Sequence, residues 1–253
     1  MTAQLDLASP ASAPLVIDGL DLEKFLEVAE RYGSDDLGFV VTPNVDHMIR
    51  YHESPEFRAY YAEADYVLLD SQFVSTLHRL LYGVHFPVCK GSDLTDALFE
   101  RVIKPDDVVV LIGASAQQAD TLRQRYGLRQ LLHHNPPMGF AEDPKAVDAV
   151  LTFVESVASF RFCLLAVGSP RQEMVAQMLV QRGRARGMIL CIGAAINFLT
   201  GGERRAPAWM QRSGFEWLYR LIQDPRRLAY RYLVRGPRFF THLGRDRLIL
   251  REP

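Results

Sequence analysis

The chain has 253 residues, 48% of them apolar and 23% charged, a balance that fits a folded globular protein and excludes a disordered or fibrous one. Its formal charge of −1 hides a division: residues 202–253 hold twelve Arg, no Lys and five acids, a net of +7, so the first 201 residues carry −8. An acidic body joined to an Arg-only tail points to an anionic partner for the tail. The three cysteines, Cys89, Cys163 and Cys191, are too few for a disulfide framework and read as reduced core residues. The first twenty residues lack a basic start followed by an apolar stretch, and no window of about 18 apolar residues occurs, so a cytoplasmic protein that does not span a membrane is expected.

In chain order, residues 1–14 are rich in Ala, Ser and Pro and read as a mobile leader without a core of its own. Strands are expected at Gly38 to Thr42, Tyr66 to Asp70, Val108 to Gly113, Gln130 to His133, Phe162 to Gly168 and Met188 to Gly193. Helices are expected near Leu22 to Tyr32, Phe57 to Glu63, Phe73 to Tyr82, Asp93 to Ile103, Ala116 to Tyr126, Pro144 to Ser159 and Arg171 to Gly183. Continuous apolar strands alternating with helices predict an α/β, Rossmann-like body with a mostly parallel sheet covered on both faces. After Gly193 no further strand is expected. Residues 15–201 form the body, and residues 202–253 form a helical appendage rich in Arg and aromatic side chains, including Trp209 and Trp217.

Ligands of open α/β sheets bind beyond the carboxyl ends of the strands. The polar residues there are Thr42 and Asn44, Asp70, Gly113 to Ser115, Gly168 to Gln172, and Gly193 to Asn197. Asp70 can serve as a general base over the cleft or as the cap of the helix that follows. Thr42 and Asn44 can bond sugar or base groups, or can build a turn and cap a helix. In the run Gly168-Ser169-Pro170-Arg171-Gln172, backbone amides at a helix start and the Arg171 guanidinium suit a phosphate. No G-x-G-x-x-G and no P-loop occurs, which disfavours a nicotinamide dehydrogenase or an NTPase. His133 and His134 point to opposite faces of a strand and read as structural. Nothing in the sequence requests a metal, and divalent-metal dependence stays open. In the tail, arginines interleave with Trp and Tyr, a mixture suited to phosphate and to a membrane-water interface.

Several segments together resemble the bacterial glycosyltransferases of the WecG/TagA/CpsF type, glycosyltransferase family 26. They are Thr42-Pro43-Asn44-Val45-Asp46, Asp70, Gly91-Ser92-Asp93-Leu94 and Val167-Gly168-Ser169-Pro170-Arg171-Gln172-Glu173. In the tail they are Arg205-Ala206-Pro207 with Trp209, Glu216-Trp217-Leu218-Tyr219-Arg220-Leu221, and Pro225-Arg226-Arg227 with Arg231-Tyr232. The resemblance covers about Val16 to Leu233. It implies an inverting transfer from a UDP-sugar to a polyprenyl-diphosphate-linked saccharide, at the inner face of the cell membrane, in cell-surface or exopolysaccharide assembly. It implies Asp70 as the base with Thr42 nearby, and Gln172 in the donor pocket, to which the turn and helix-start chemistry above adds Asn44, Gly168, Ser169 and Arg171. Arg220, Arg227 and Arg231 are the implied diphosphate and acceptor residues, and Arg205 in the matching tail block joins them as a candidate. Donor sugars of the N-acetylmannosamine, N-acetylmannosaminuronic acid, glucose or glucuronic acid type all fit.

Three departures stand out. Asp70-Ser71-Gln72 replaces the common Asp-Gly, Lys90 stands directly before Gly91, and Ile196-Asn197-Phe198 replaces the common Phe-Asp-Phe. Two rival readings are a nucleic-acid-binding tail, disfavoured by the acidic body and the absence of tail Lys, and a soluble sugar-nucleotide-modifying enzyme, which leaves the tail unexplained. No nucleic-acid partner is expected. Packing of the tail against a second copy of the chain stays open.

Overall fold

Apolar residues on successive positions of each central strand fall into two separate cores. In β4 (Val108–Gly113), Val110 and Ile112 enter one core, while Val109 and Leu111 enter the other. In β6 (Phe162–Ala166), Cys163 and Leu165 oppose Phe162 and Leu164 in the same way. That is the period of two of a strand buried on both faces, and each fully buried Leu, Ile or Phe contributes about 1.5–3 kcal/mol. The computed structural model describes residues 14–33, 36–203, 206–207, 209–210, 216–243 and 248–252.

The remaining body strands are β2 (Leu37–Val41), β3 (Tyr66–Val67), β5 (Gln130–His134) and β7 (Gly187–Cys191). With β4 and β6 they form one six-stranded sheet in the order β3-β2-β7-β6-β4-β5, and every pairing is parallel. One face is covered by α2 (Val45–Glu53), α3 (Pro55–Ala62), α7 (Pro144–Glu155) and α8 (Arg171–Arg182). The other is covered by α1 (Leu22–Arg31), α5 (Gly91–Ala97, prolonged by a π-helical turn over Leu98–Val102), α6 (Ala116–Tyr126) and α9 (Ala195–Leu199). Between β3 and α5 lies α4 (Gln72–Tyr82). The expected α/β sandwich with a parallel sheet is what the chain forms.

The Thr42-Pro43-Asn44 segment takes its capping alternative: Asn44 Oδ1 accepts from Asp46 N at 3.1 Å and caps α2, because turn residues and N-cap residues share the same side-chain chemistry. One local expectation is corrected. The tail is not wholly helical, since β8 (Ile249–Arg251) pairs in parallel with β1 (Val16–Asp18). Two apolar residues and an arginine carry no period of their own, and their partner strand lies over two hundred residues away. The segment after the leader is part of the fold: Leu15 is buried, and the Pro14 carbonyl accepts from Tyr51 Oη at 3.4 Å. Residues 1–13 lie outside the described residues.

The described appendage comprises α10 (Glu216–Gln223), α11 (Pro225–Ala229), a π-helical turn over Tyr230–Arg235 and α12 (Arg238–Leu243). Helix α12 packs on α2, with Phe239 buried and ring contacts from Phe73 to Phe239 and Phe240 at 6.3 Å.

Candidate active site

The chain leaves β4 toward β5 and leaves β6 toward β7, in opposite directions along the sheet. A crevice opens beyond the carboxyl ends where neighbouring strands part in this way, and that is where α/β sheets bind ligands. Its floor is built from residues that accept unusual backbone. Gly113 has φ 89°, and a Cβ there would lie 2.9 Å from the Ala166 carbonyl group, so only glycine lets β4 and β6 end this close together. Ala114 follows in the left-handed region at φ 63°, and the ring Nε2 of His133 donates to the Gly113 carbonyl at 2.9 Å. His134 turns the other way and stacks on Phe153.

Across the crevice, Gly168 has φ 75°, and the Arg171 guanidinium folds over it, 3.5 Å from where a Cβ would stand. The Ser169 hydroxyl is buried without a hydrogen-bond partner among the described residues. Arg171 makes no ion pair or hydrogen bond among them either. A cation and a hydroxyl at the start of a twelve-residue helix are what an anionic diphosphate requires.

On the other side of the sheet, Leu68 N donates to the Val41 carbonyl and Asp70 N to the Pro43 carbonyl, each at 2.9 Å. The β3 backbone thus keeps pace with β2 beyond its formal end and sets Asp70 beside Thr42-Pro43-Asn44. The cap of α4 is Ser71, whose Oγ accepts from Val74 N at 3.3 Å, so Asp70 is not there as the helix cap. Cys89 N donates to the Leu69 carbonyl at 2.9 Å, which lays Lys90 along the same backbone. Gly91 follows, and a Cβ there would lie 2.8 Å from Thr42 Oγ1. Burial, and next the Asp70 charge, pushes the Cys89 thiol up. Burial does the same to Cys163 and Cys191, so the three free thiols stay protonated and are not nucleophiles.

Gln172, which the resemblance places in the donor pocket, is held inside the fold. Its side chain is 4% exposed, and the amide is engaged at both ends. Oε1 accepts from Gly193 N at 2.9 Å, and Nε2 donates to Glu173 Oε1 at 2.9 Å. Glu173 Oε1 also faces His47 Nε2 at 3.4 Å, and His47 Nδ1 accepts from Asn44 N at 3.3 Å. In the sequence, Glu173 closes the Val167 to Glu173 segment and Gly193 stands at a strand end, but neither carries an assigned role, and His47 is marked only by standing three residues after Asn44, at capping-box spacing.

In the appendage, Arg205 lies outside the described residues. The backbones of Arg220, Arg227 and Arg231 fall in α10, α11 and the π-helical turn, and their side chains lie outside the described residues as well. The cations that are described grip α2. Arg235 stands 3.5 Å from both Asp46 and Glu53, and Arg238 3.4 Å from Glu53. The appendage is therefore seated on the helix that begins at Asn44. Asn197 accepts from Gln118 Nε2 at 2.9 Å and donates to Glu203 Oε1 at 3.0 Å, a pairing an aspartate could not make. No cluster of three His, Cys, Asp or Glu residues suited to a metal occurs among the described residues. No helix among them is long and apolar enough to cross a membrane.

A family model described as the glycosyl transferase WecG/TagA/CpsF family matches residues 12–253. A solved structure of a selenomethionine-substituted domain of unknown function 1792 is similar at 12% identity, over 81% of this chain and 84% of that one, with a TM-score of 0.44. Nothing about the site follows from so distant a likeness.

Proposed function

This chain belongs to the WecG/TagA/CpsF glycosyltransferase family, and from that premise we propose that it moves one sugar from a UDP-sugar to a saccharide carried on a polyprenyl diphosphate, inverting the anomeric carbon. Membership makes it a glycosyltransferase of cell-surface polysaccharide synthesis, with a sugar-nucleotide donor and a lipid-linked acceptor.

In the proposed step the Asp70 carboxylate takes the proton of the acceptor hydroxyl as that oxygen bonds to the anomeric carbon. The bond from that carbon to the β-phosphate oxygen breaks, its electron pair leaves with UDP, and Asp70 then passes the proton to solvent. One displacement inverts the centre. Ser169, Arg171 and the amides that open α8 stabilise the leaving diphosphate, and the tail arginines Arg205, Arg220, Arg227 and Arg231 close over it. No step of this scheme passes through a metal.

The observation that carries the reading is the 2.9 Å bond from Asp70 N to the Pro43 carbonyl. It holds the backbone of a non-capping Asp beside that of Thr42 and Asn44, at the carboxyl edge of the sheet, the edge at which α/β sheets bind ligands. The test is Asp70→Asn, assayed for both UDP release and lipid product with UDP-glucose, UDP-glucuronic acid and UDP-N-acetylmannosamine on undecaprenyl-diphosphate monosaccharides. With the fold intact, transfer is expected to fall about 10²–10⁴-fold. Wild-type rates would remove Asp70 as the base.

A further inference from the structure

A carboxylate in the interior costs stability unless its oxygens are paired, and an apolar side chain of the same volume would pack there at lower cost. Glu173 is 1% exposed, and its Oε2 has no hydrogen-bond partner among the described residues. Packing alone does not account for such a residue. Its place as third residue of α8 softens the cost, because the positive end of a helix favours a carboxylate.

The other oxygen shows what the residue does. Oε1 accepts from Gln172 Nε2 and faces His47 Nε2. The far end of the Gln172 amide accepts from Gly193 N, in the loop after β7. The far nitrogen of His47 accepts from Asn44 N, in the loop after β2. A backbone N–H can only donate, so His47 Nδ1 must be bare and the ring proton must sit on Nε2, the nitrogen 3.4 Å from Glu173 Oε1. Each half of the relay has one sense of donation, and both halves end on the same carboxylate oxygen.

Strands β2 and β7 are neighbours, so the two loops form adjoining walls at the carboxyl edge. One of them carries Thr42 and, through the Pro43 carbonyl, Asp70. We propose that Glu173 is a positioning residue for sugar transfer: a single buried acceptor oxygen that sets the spacing of the Asn44 and Gly193 loops, and with it the aim of Asp70 at the anomeric carbon. This rests on the transfer site lying between those loops, as proposed above.

The test compares Glu173→Met, which keeps the volume and removes the acceptor, with Glu173→Gln, which keeps one oxygen for both donors. Amide exchange at Gly193 and Asn44 is followed by NMR, and kcat and KM are measured with the UDP-sugar panel named above. Because a misplacement of about 1 Å can cost about 10²-fold, Glu173→Met is expected to lower kcat of folded enzyme about tenfold or more. Donor KM should stay within about threefold, and exchange at both amides should quicken about tenfold. Glu173→Gln is expected to restore both readouts, and adding His47→Asn to Glu173→Met should lower kcat no further, since both cut the same relay.

Exchange and kcat at wild-type level in Glu173→Met would overturn the proposal, since a carboxylate needed only for folding would move Tm and nothing else. A Gln variant as impaired as Met would overturn it too, and so would additive losses in the double variant. If no UDP-sugar in the panel turns over, the donor reading fails, and the exchange measurement still decides the role of Glu173. Asp70→Asn in the same assay reports on the base separately.

Discussion

Gly91 and Thr42 meet where two loops converge beside Asp70, and their contact separates packing from function. A methyl group on Gly91 would arrive 2.8 Å from Thr42 Oγ1. Crowding of this kind costs about 1–3 kcal/mol, while Ala in place of Gly gains about 1 kcal/mol of helix propensity in α5. The net stability change of Gly91→Ala is therefore small, on the order of 1 kcal/mol. Thr42 must rotate or retreat, and if its hydroxyl belongs to the pocket, transfer falls about tenfold or more. Thermal melting and a transfer assay on one preparation check both halves. A variant that melts normally and transfers at the wild-type rate would place Thr42 outside the chemistry. The identity of Asp70 as a strand-end carboxylate was legible in the residue order. That Ser71 and not Asp70 caps α4 was not, because Asp and Ser cap helices equally well and only the geometry of Val74 N decides between them.

At the scale of elements, α12 and the π-helical turn before it are held to α2 by two kinds of contact. The Arg235 and Arg238 pairs with Asp46 and Glu53 are partly exposed and so contribute little individually. Buried Phe239 and its contact with Phe73 supply the apolar anchor. That division leaves α10 and α11, which carry Arg220, Arg226 and Arg227, as the part of the appendage proposed to meet an anionic surface. A basic residue near such a membrane contributes about 1 kcal/mol, so changing Arg220, Arg226 and Arg227 together to Gln is expected to weaken binding to phosphatidylglycerol vesicles on the order of 10²-fold. Vesicle flotation with neutral and anionic lipid, at low and high salt, measures it; equal flotation with both lipids would remove the membrane from the scheme. Composition located this element, since an Arg-only, aromatic stretch is visible in a simple count. Its seating on α2 was hidden, because Arg235 and Asp46 lie far apart in the chain.

At the scale of the whole molecule, the chain closes on itself. Arg251 grips Asp18 through two nitrogens and also bonds the Asp65 carbonyl at 2.8 Å. Asp18 Oδ2 in turn accepts from Val67 N at 2.7 Å, so the last strand clamps the sheet edge that leads to Asp70. Arg251→Ala leaves a buried Asp18 without its cation, at a cost of about 1.5–3 kcal/mol, at the lower end because the Arg251 side chain is half exposed. Adding Asp18→Asn is expected to recover part of the loss, since an amide oxygen still accepts from Val67 N and leaves no charge unpaired. Urea unfolding of the two variants checks this, and a double variant weaker than the single would contradict it. By itself the sequence determined the parallel α/β body, the strand-end position of Asp70, the phosphate-suited turn at Gly168 to Arg171 and the cationic tail, because strand period, turn chemistry and charge are local properties. Tertiary structure alone decided the return of β8 to β1, the seating of α12 on α2 and the buried relay from Gly193 through Glu173 to Asn44. Each depends on contacts between residues far apart in the chain, which no local pattern records.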